Sequence, residues 1–244
     1  MLSAIKSEFR KLLTVRSTYF ITLLVLFLIG LIGFYINGWN LHPMVSQAPD
    51  LLVSDATDAV LILAAFGAIV AILLMTHEYR YNTITYTLTA CNSRSKVLIA
   101  KLIAVSAYAV FLTALIAVLS PLSSYLGITL HGHDIGPQHW QWGTLIWHTL
   151  FYGWAYGVAG LLLAVLVRSQ VGAIAALFLI PGVIEQLLMR LLKEKSIYLP
   201  FTALHSVINF DPKISDIKSA VVFGAYLVVG WIIAWILFLK RDAN

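Results

Sequence analysis

The sequence predicts an all-α polytopic membrane protein. Six separate stretches are apolar over about 20 residues, the length a helix rising ~1.5 Å per residue needs to cross roughly 30 Å of hydrocarbon. Composition agrees: 60% of the 244 residues are hydrophobic, 11% are charged and the mean hydropathy is +0.89, too apolar for a water-soluble surface. Basic residues also gather in alternate connections, as expected of a chain that crosses a bilayer repeatedly.

Residues 1–17 come first. Leu2, Ile5, Phe9, Leu12 and Leu13 fall at helical spacing, with Lys6, Ser7, Glu8, Arg10 and Lys11 on the other face. This reads as an interfacial amphipathic helix that either anchors the chain or also presents its polar face to a partner. The crossings follow at 18–36, 59–76, 102–125, 144–167, 171–192 and 219–239. The first begins too deep and lacks the small-residue exit of a removable signal peptide. Five or seven crossings are also compatible, because only Arg168-Ser169-Gln170 separate the fourth and fifth stretches and 193–218 is semi-polar. Six is the simplest count, in one transmembrane domain over 1–244. Between the second and third crossings lies a polar segment, 77–96. Within it Thr83–Thr89 alternates like a strand, but an isolated strand at a membrane surface leaves its backbone unpaired. Tyr81, Ile84 and Leu88 share a helical face, so a short interfacial helix is expected there.

With the N-terminus cytoplasmic, eleven of the 16 basic residues fall inside: Lys6, Arg10, Lys11, Arg16, Arg80, Arg94, Lys96, Lys101, Arg168, Lys240 and Arg241. The outer loops 37–58 and 126–143 hold none, and both termini are then cytoplasmic. Arg190, Lys193, Lys195, Lys213 and Lys218, at or beyond the outer end of the fifth crossing, depart from the rule. The net charge of +5 needs no nucleic acid, because inner-face topology and anionic lipid headgroups account for it. A lone cysteine, Cys91, excludes an intrachain disulfide and a CxxC metal site.

His131, His133 and His139 with Asp134 invite a metal reading. Nothing in that Gly- and Pro-broken loop fixes a tetrahedral set, and no metal is assigned. There is no GxxxxGK[ST] phosphate loop, and no polar stretch is long enough for a nucleotide-binding domain. If the protein uses ATP and Mg²⁺, another chain supplies them, and no cofactor is assigned to this one. Glu185 lies in the fifth crossing, where an ionisable group is costly unless paired or wet. It is either a snorkelling interfacial charge or a pathway residue. Tyr152 and His148, with Tyr108, Tyr125, Trp147 and Trp154, give the third and fourth crossings an aromatic character suited to an amphiphilic or peptidic cargo, although interfacial aromatic belts give the same composition. Glu185, Tyr152 and His148 are accordingly candidate pathway residues. Gly153, Gly157 and Gly160 mark a close helix approach.

Two resemblances follow from these residues. Glu185-Gln186-x-x-x-Arg190 and Phe201-x-x-x-His205-x-x-x-Asn209 are similar to the EExxxR, FxxxH and HxxxN elements of CAAX-type intramembrane proteases, but Gln186 replaces a glutamate and one histidine would have to serve two motifs. The second covers nearly the whole chain, whose layout resembles the ABC-2 permeases of ABC transporters. Glu78 closes the second helix, Asn82-Thr83-Ile84 stands for a Gly-Thr element, Thr89-Ala90-Cys91-Asn92-Ser93-Arg94 for a T-x-P-x-S-R stretch, and Lys101 for a lysine near the start of the next helix. Asn82 and Cys91 replace the glycine and proline common there. The amphipathic N-terminal helix and Leu199-Pro200-Phe201 before the last crossing add to the likeness.

The resemblance implies a six-helix permease fold of the type V exporter kind. Glu78–Arg94 would contain a coupling helix that docks on an ATPase, with Glu78, Arg80, Thr83, Ser93, Arg94 and Lys96 at the interface. Residues 193–218 would form short extracellular helices dipping into the outer leaflet. The implied partners are two ATPase subunits, a second permease chain in a homodimer or heterodimer, and membrane lipid; the implied place is a bacterial or archaeal cytoplasmic membrane. The cargo would be a drug, a peptide or a lipid-like molecule, and the chain would hold no catalytic residue. An intramembrane hydrolase and a non-transporting sensor or immunity component are the readings from other classes.

Overall fold

The computed structural model of the protein describes residues 1–39, 48–91, 93–139, 142–209 and 214–240; Asn92, Lys213 and Arg241 of the sequence reading lie outside the described residues. The elements are α1 (Leu2–Thr14), α2 (Arg16–Ile29, continued as a π-helix over Gly30–Trp39), α3 (Leu51–Arg80), α4 (Ile84–Cys91), α5 (Arg94–Leu130), α6 (Trp142–Val167), α7 (Gln170–Leu179), α8 (Glu185–Leu192), α9 (Pro200–Asn209) and α10 (Asp216–Lys240). A π-helical turn, Ile180–Ile184, joins α7 to α8, and a 3₁₀ segment, Lys193–Tyr198, leads toward α9. No strand occurs among the described residues.

Among the described residues six helices are long and apolar enough to span: Arg16–Ile36, Leu51–Arg80, Arg94–Leu130, Leu145–Val167, Gln170–Tyr198 and Asp216–Lys240. Each contains most of an expected crossing, and the second and third run well past theirs. Hydropathy marks only the apolar centre of a helix, whereas the backbone stays helical through Ser54, Asp55 and Asp58 at one end of α3 and through His77 and Glu78 at the other. The expected short helix in the polar segment is α4.

α3 is the hub. In its most apolar window 72% of residues are buried, against 17% in the fifth crossing and 22% in the first and sixth. Close approach of α6 makes this burial feasible. A methyl group on Gly160 would sit 2.6 Å from the Ala68 carbonyl oxygen of α3, and one on Gly157 would sit 2.7 Å from the Ala109 side chain of α5. Gly153 likewise meets Thr113 of α5. The small-residue stripe of α6 is therefore its packing face toward both neighbours, as read from the sequence.

Two crossings leave the α-helical register. Pro181 lacks an N–H and crowds the preceding turn, and the backbone widens into the Ile180–Ile184 π turn. In the first crossing, at the α-to-π boundary, the Ser123 hydroxyl donates to the Ile29 carbonyl at 3.2 Å, and a Cβ at Gly33 would overlap that same serine.

Two residues depart from the expectation. In α1 the residues buried against the bundle are Ala4, Glu8 and Leu12, while Leu2 and Leu13 are exposed. Glu8, placed on the polar face, is buried because cationic partners await it. Within 193–218 the described helix α9 buries Phe201, Ala203, Leu204, Val207 and Ile208 against the rest of the bundle. Glu185, whose nearest base in sequence is Arg190, spends its carboxylate on the start of α9 instead.

Candidate functional site

The two ends of the bundle carry different chemistry. At the end where α1, α3 and α5 meet, Lys101 of α5 is fully buried and its ammonium donates to Glu8 Oε2 at 2.9 Å, to Glu78 Oε1 at 2.8 Å and to the Leu74 carbonyl at 3.3 Å. Lys11 of α1 donates to Glu8 Oε1 at 2.6 Å and also reaches Glu78 Oε1. Two carboxylates and two ammoniums thus neutralise one another in a layer that joins three helices. Buried charge is tolerated only when paired and hydrogen-bonded in this way. Burial pulls the Lys11 amine down, but the charges of Glu78 and Glu8 and the hydrogen bonds to them outweigh it, and the group titrates above its ordinary 10.5. Its contribution is therefore complete below that value and is lost only in strong alkali.

From this cluster the chain runs directly into α4. Thr83 N donates to the Glu78 carbonyl at 2.9 Å, ending α3 in a tight turn through Asn82, whose φ is +53°. An Asn tolerates this left-handed conformation where a glycine is common. α4 is fixed by Ile84, which is buried in the main core, while Thr85, Tyr86 and Thr89 are exposed. Tyr86 is 77% exposed, so a large aromatic faces away from the bundle.

The sequence-predicted interface residues divide among several tasks. Glu78 lies in the buried cluster rather than at a surface, so the expectation that it is an exposed interfacial charge is corrected. Arg94 donates to the Phe238 and Leu239 carbonyls at 3.3 and 3.1 Å, closing the C-terminal turn of α10. Ser93 caps α5 by accepting from Lys96 N, and Lys96 itself is exposed. Arg80 is exposed, stacks near Tyr81 and lies 3.5 Å from Gln170 at the start of the fifth crossing. Thr83 is exposed where the chain enters α4. Arg80, Thr83 and Lys96 thus keep surface positions, while Glu78, Ser93 and Arg94 hold the frame around α4.

The opposite end is held by other pairs. His148 Nε2 of α6 meets Asp216 Oδ2 of α10 at 2.9 Å. Gln138 accepts from Leu52 N at 3.1 Å and donates to the Ala48 carbonyl at 2.9 Å, which ties together the connections that precede α3 and α6. The His131 and His133 rings stand 5.3 Å apart, and no cluster of three metal-binding residues occurs among the described residues. Glu185 is buried and caps α9: it accepts from Phe201 N at 2.8 Å, Thr202 N at 2.7 Å and Thr202 Oγ1 at 2.8 Å. His205 and Asn209 share a cavity of about 320 Å³ with it. Tyr152 is fully buried, its ring edge-on to His205 with centroids 5.6 Å apart. Burial holds the His205 imidazole below its ordinary 6.5, against the opposing pull of the Glu185 charge.

Sequence reasoning placed Glu8 and Lys11 only on the polar face of the first helix, and it did not single out Tyr86. A usable signal was present for Glu8, which falls four residues after Ala4 and four before Leu12, on a stripe of otherwise small or apolar residues. A family model described as ABC-2 family transporter protein matches residues 4–190. That span holds the buried cluster, α4 and Glu185. No curated protein matches the chain.

Proposed function

The chain belongs to the ABC-2 family of transporter membrane proteins, and on that premise we propose that it is the permease subunit of an ABC exporter, with α4 as the element that receives force from a separate ATPase. The observation that carries this reading is the position of α4. It presents Thr85, Tyr86 and Thr89 outward while its root is continuous with the Glu8–Lys11–Glu78–Lys101 layer. A push on α4 is thereby passed to α1, α3 and α5 together, because ion pairs and packed helices do not deform continuously.

In this reading two permease chains pair with two ATPase subunits. Closure of the nucleotide-binding domains around ATP draws the two α4 helices together and opens the path outward. The fifth crossing, the least buried in the single chain, supplies the surface for the second permease chain and the path between them. The membrane is the cytoplasmic membrane of a bacterium or archaeon, with both termini inside. Supporting that orientation, ten basic residues (Lys6, Arg10, Lys11, Arg16, Arg80, Arg94, Lys96, Lys101, Arg168 and Lys240) belong to the α1 end of the bundle.

Glu185 supports transport over hydrolysis. Its oxygens accept three hydrogen bonds from the donors that start α9, which commits the carboxylate to capping that helix. Gln186 and the single His205 add no second carboxylate or imidazole.

The decisive experiment is co-expression with the cognate ATPase. The two chains should co-purify, the permease alone should hydrolyse no ATP, and Tyr86→Ala should abolish permease-dependent stimulation without lowering the melting temperature of the permease. Robust hydrolysis by the isolated chain, or full stimulation with Tyr86→Ala, refutes the reading. An impermeant thiol reagent should label Cys91 only in opened cells; labelling in intact cells reverses the orientation.

A further inference from the structure

A cavity of about 570 Å³ lies where α3 ends beside the connection between α6 and α7. Arg80 and Arg168 both line it, and among the described residues its lining holds no acidic side chain. The rest of the wall adds donors. Ser169, the N-cap of α7, accepts from Gly172 N at 3.3 Å, so its own hydroxyl proton is left for an acceptor; Asn82 and Gln170 bring carboxamides. Gln170 Oε1 takes Arg80 Nη1 at 3.5 Å, which uses one of the five N–H donors of that guanidinium. Thr76 gives its hydroxyl to the Ile72 carbonyl. Arg168 is held by its surroundings: its φ is +56°, and its guanidinium carbon lies 5.2 Å from the centre of the Tyr79 ring, which backs the planar fork from one side. Two guanidiniums with hydroxyl and amide donors around them, and no carboxylate to share them, suit a phosphate. The remaining lining residue, Val171, is 78% exposed and stands at the head of the fifth crossing, the least buried of the six. The cavity thus joins a cationic wall to an apolar side chain at the edge of the hydrocarbon, as headgroup sites between membrane helices do.

We propose that this cavity binds the phosphate of an anionic glycerophospholipid through Arg80 and Arg168, with the acyl chains running from Val171 along α7. A net negative head is preferred because a zwitterionic head brings its own cation to its phosphate. The bound lipid bridges the end of the second crossing and the start of the fifth, at the rim of the surface proposed for the second permease chain. The binding itself does not depend on the permease reading.

The full-length protein in detergent is titrated with dioleoylphosphatidylglycerol or with dioleoylphosphatidylcholine, which has the same chains, and bound lipids are counted by native mass spectrometry. Phosphatidylglycerol should bind more tightly, and Arg80→Gln and Arg168→Asn should each weaken it by about fivefold, the ratio expected of one basic group at an anionic headgroup. Asparagine is chosen at position 168 because it tolerates the left-handed backbone there. Melting temperatures in phosphatidylcholine nanodiscs check that each variant is folded, and Arg80, exposed at the end of α3, carries the test should the turn at 168 not survive. The double variant Lys6→Gln, Arg10→Gln removes two exposed cations of α1, outside the cavity lining, and should leave the affinity unchanged. Equal affinity for the two lipids, native affinity in a folded arginine variant, or an equal loss in the α1 variant reduces the binding to diffuse surface attraction and overturns the proposal. Displacement of the lipid by excess inorganic phosphate assigns the cavity to a soluble anion and overturns the lipid source. Absence of lipid preference together with lost ATPase co-purification in both arginine variants assigns the cavity to the ATPase interface, and the proposal falls.

Discussion

Replacing Lys101 with Met tests whether the buried ion cluster holds α1, α3 and α5 together. The native ammonium is fully buried and has three acceptors within 3.3 Å, two of them carboxylates. Its removal keeps the volume of the stem but leaves Glu8 and Glu78 sharing only Lys11, the one member of the cluster with substantial exposure. Removing one partner of a buried pair costs about 3–5 kcal/mol because the remaining charge is uncompensated. Lys11 still serves both carboxylates, which places the loss near the lower end, about 3 kcal/mol. For a chain of this length 1 kcal/mol corresponds to roughly 2–4 °C, so the apparent melting temperature should fall by about 6–12 °C. Tryptophan fluorescence in nanodiscs at neutral pH and one fixed scan rate is the assay, since unfolding of such proteins is commonly irreversible. A sign test accompanies it. Glu8→Gln should lower stability in the native background and raise it in the Lys101→Met background, where it removes a charge that has lost its partner. A Lys101→Met protein melting within about 2 °C of the native one, or a Glu8→Gln change that is additive in both backgrounds, refutes the reasoning.

Three further outcomes follow from the packing and the caps. Gly160→Val should destabilise by at least about 1–3 kcal/mol, because its side chain would enter the Ala68 backbone of α3, whereas Gly224→Ala, where nothing lies within 4 Å, should be silent in the same melting assay. Glu185→Gln should cost about 1.5–3 kcal/mol by weakening the charge-assisted cap of α9, yet leave transport of a toxic cargo measurable in a resistance assay; complete loss of transport in a correctly inserted protein would restore the hydrolase reading. His205 has its folded-state value pushed below 6.5 by burial, facing Glu185 and the Tyr152 ring. The unfolded chain then binds the proton more readily, so stability is complete above about pH 6.5 and declines as pH falls toward the lower folded value. The melting temperature should drop between about pH 8 and about pH 5.5, and His205→Gln should flatten that part of the curve.

Much of the architecture was legible because membrane helices obey one-dimensional rules. The six crossings, the short helix in the polar segment and the Gly153–Gly160 packing stripe follow from apolar run length, backbone satisfaction and small-residue spacing, each a property of neighbours in sequence. The run from Glu78 to Lys101 was likewise visible as a pattern of polarity. What that run does was less visible. Arg94, read as an interface charge, closes the last turn of α10, and Glu78, read the same way, is enclosed by cations from two other helices.

The sequence by itself determined the solvent of this protein, the places of its apolar stretches and the end of the bundle at which its basic residues collect, because hydropathy and charge act residue by residue against a fixed slab of hydrocarbon. Tertiary structure alone decided which charges are buried and with whom. Glu8 and Lys101 are 93 positions apart, and Glu185 reaches 16 and 17 positions ahead to start α9. A carboxylate on an amphipathic helix reads as a solvated face until a neighbouring helix places an ammonium within 3 Å of it, and that placement depends on which helices pack, a choice made by the close approach of α6 to α3 and α5 rather than by the charged residues themselves.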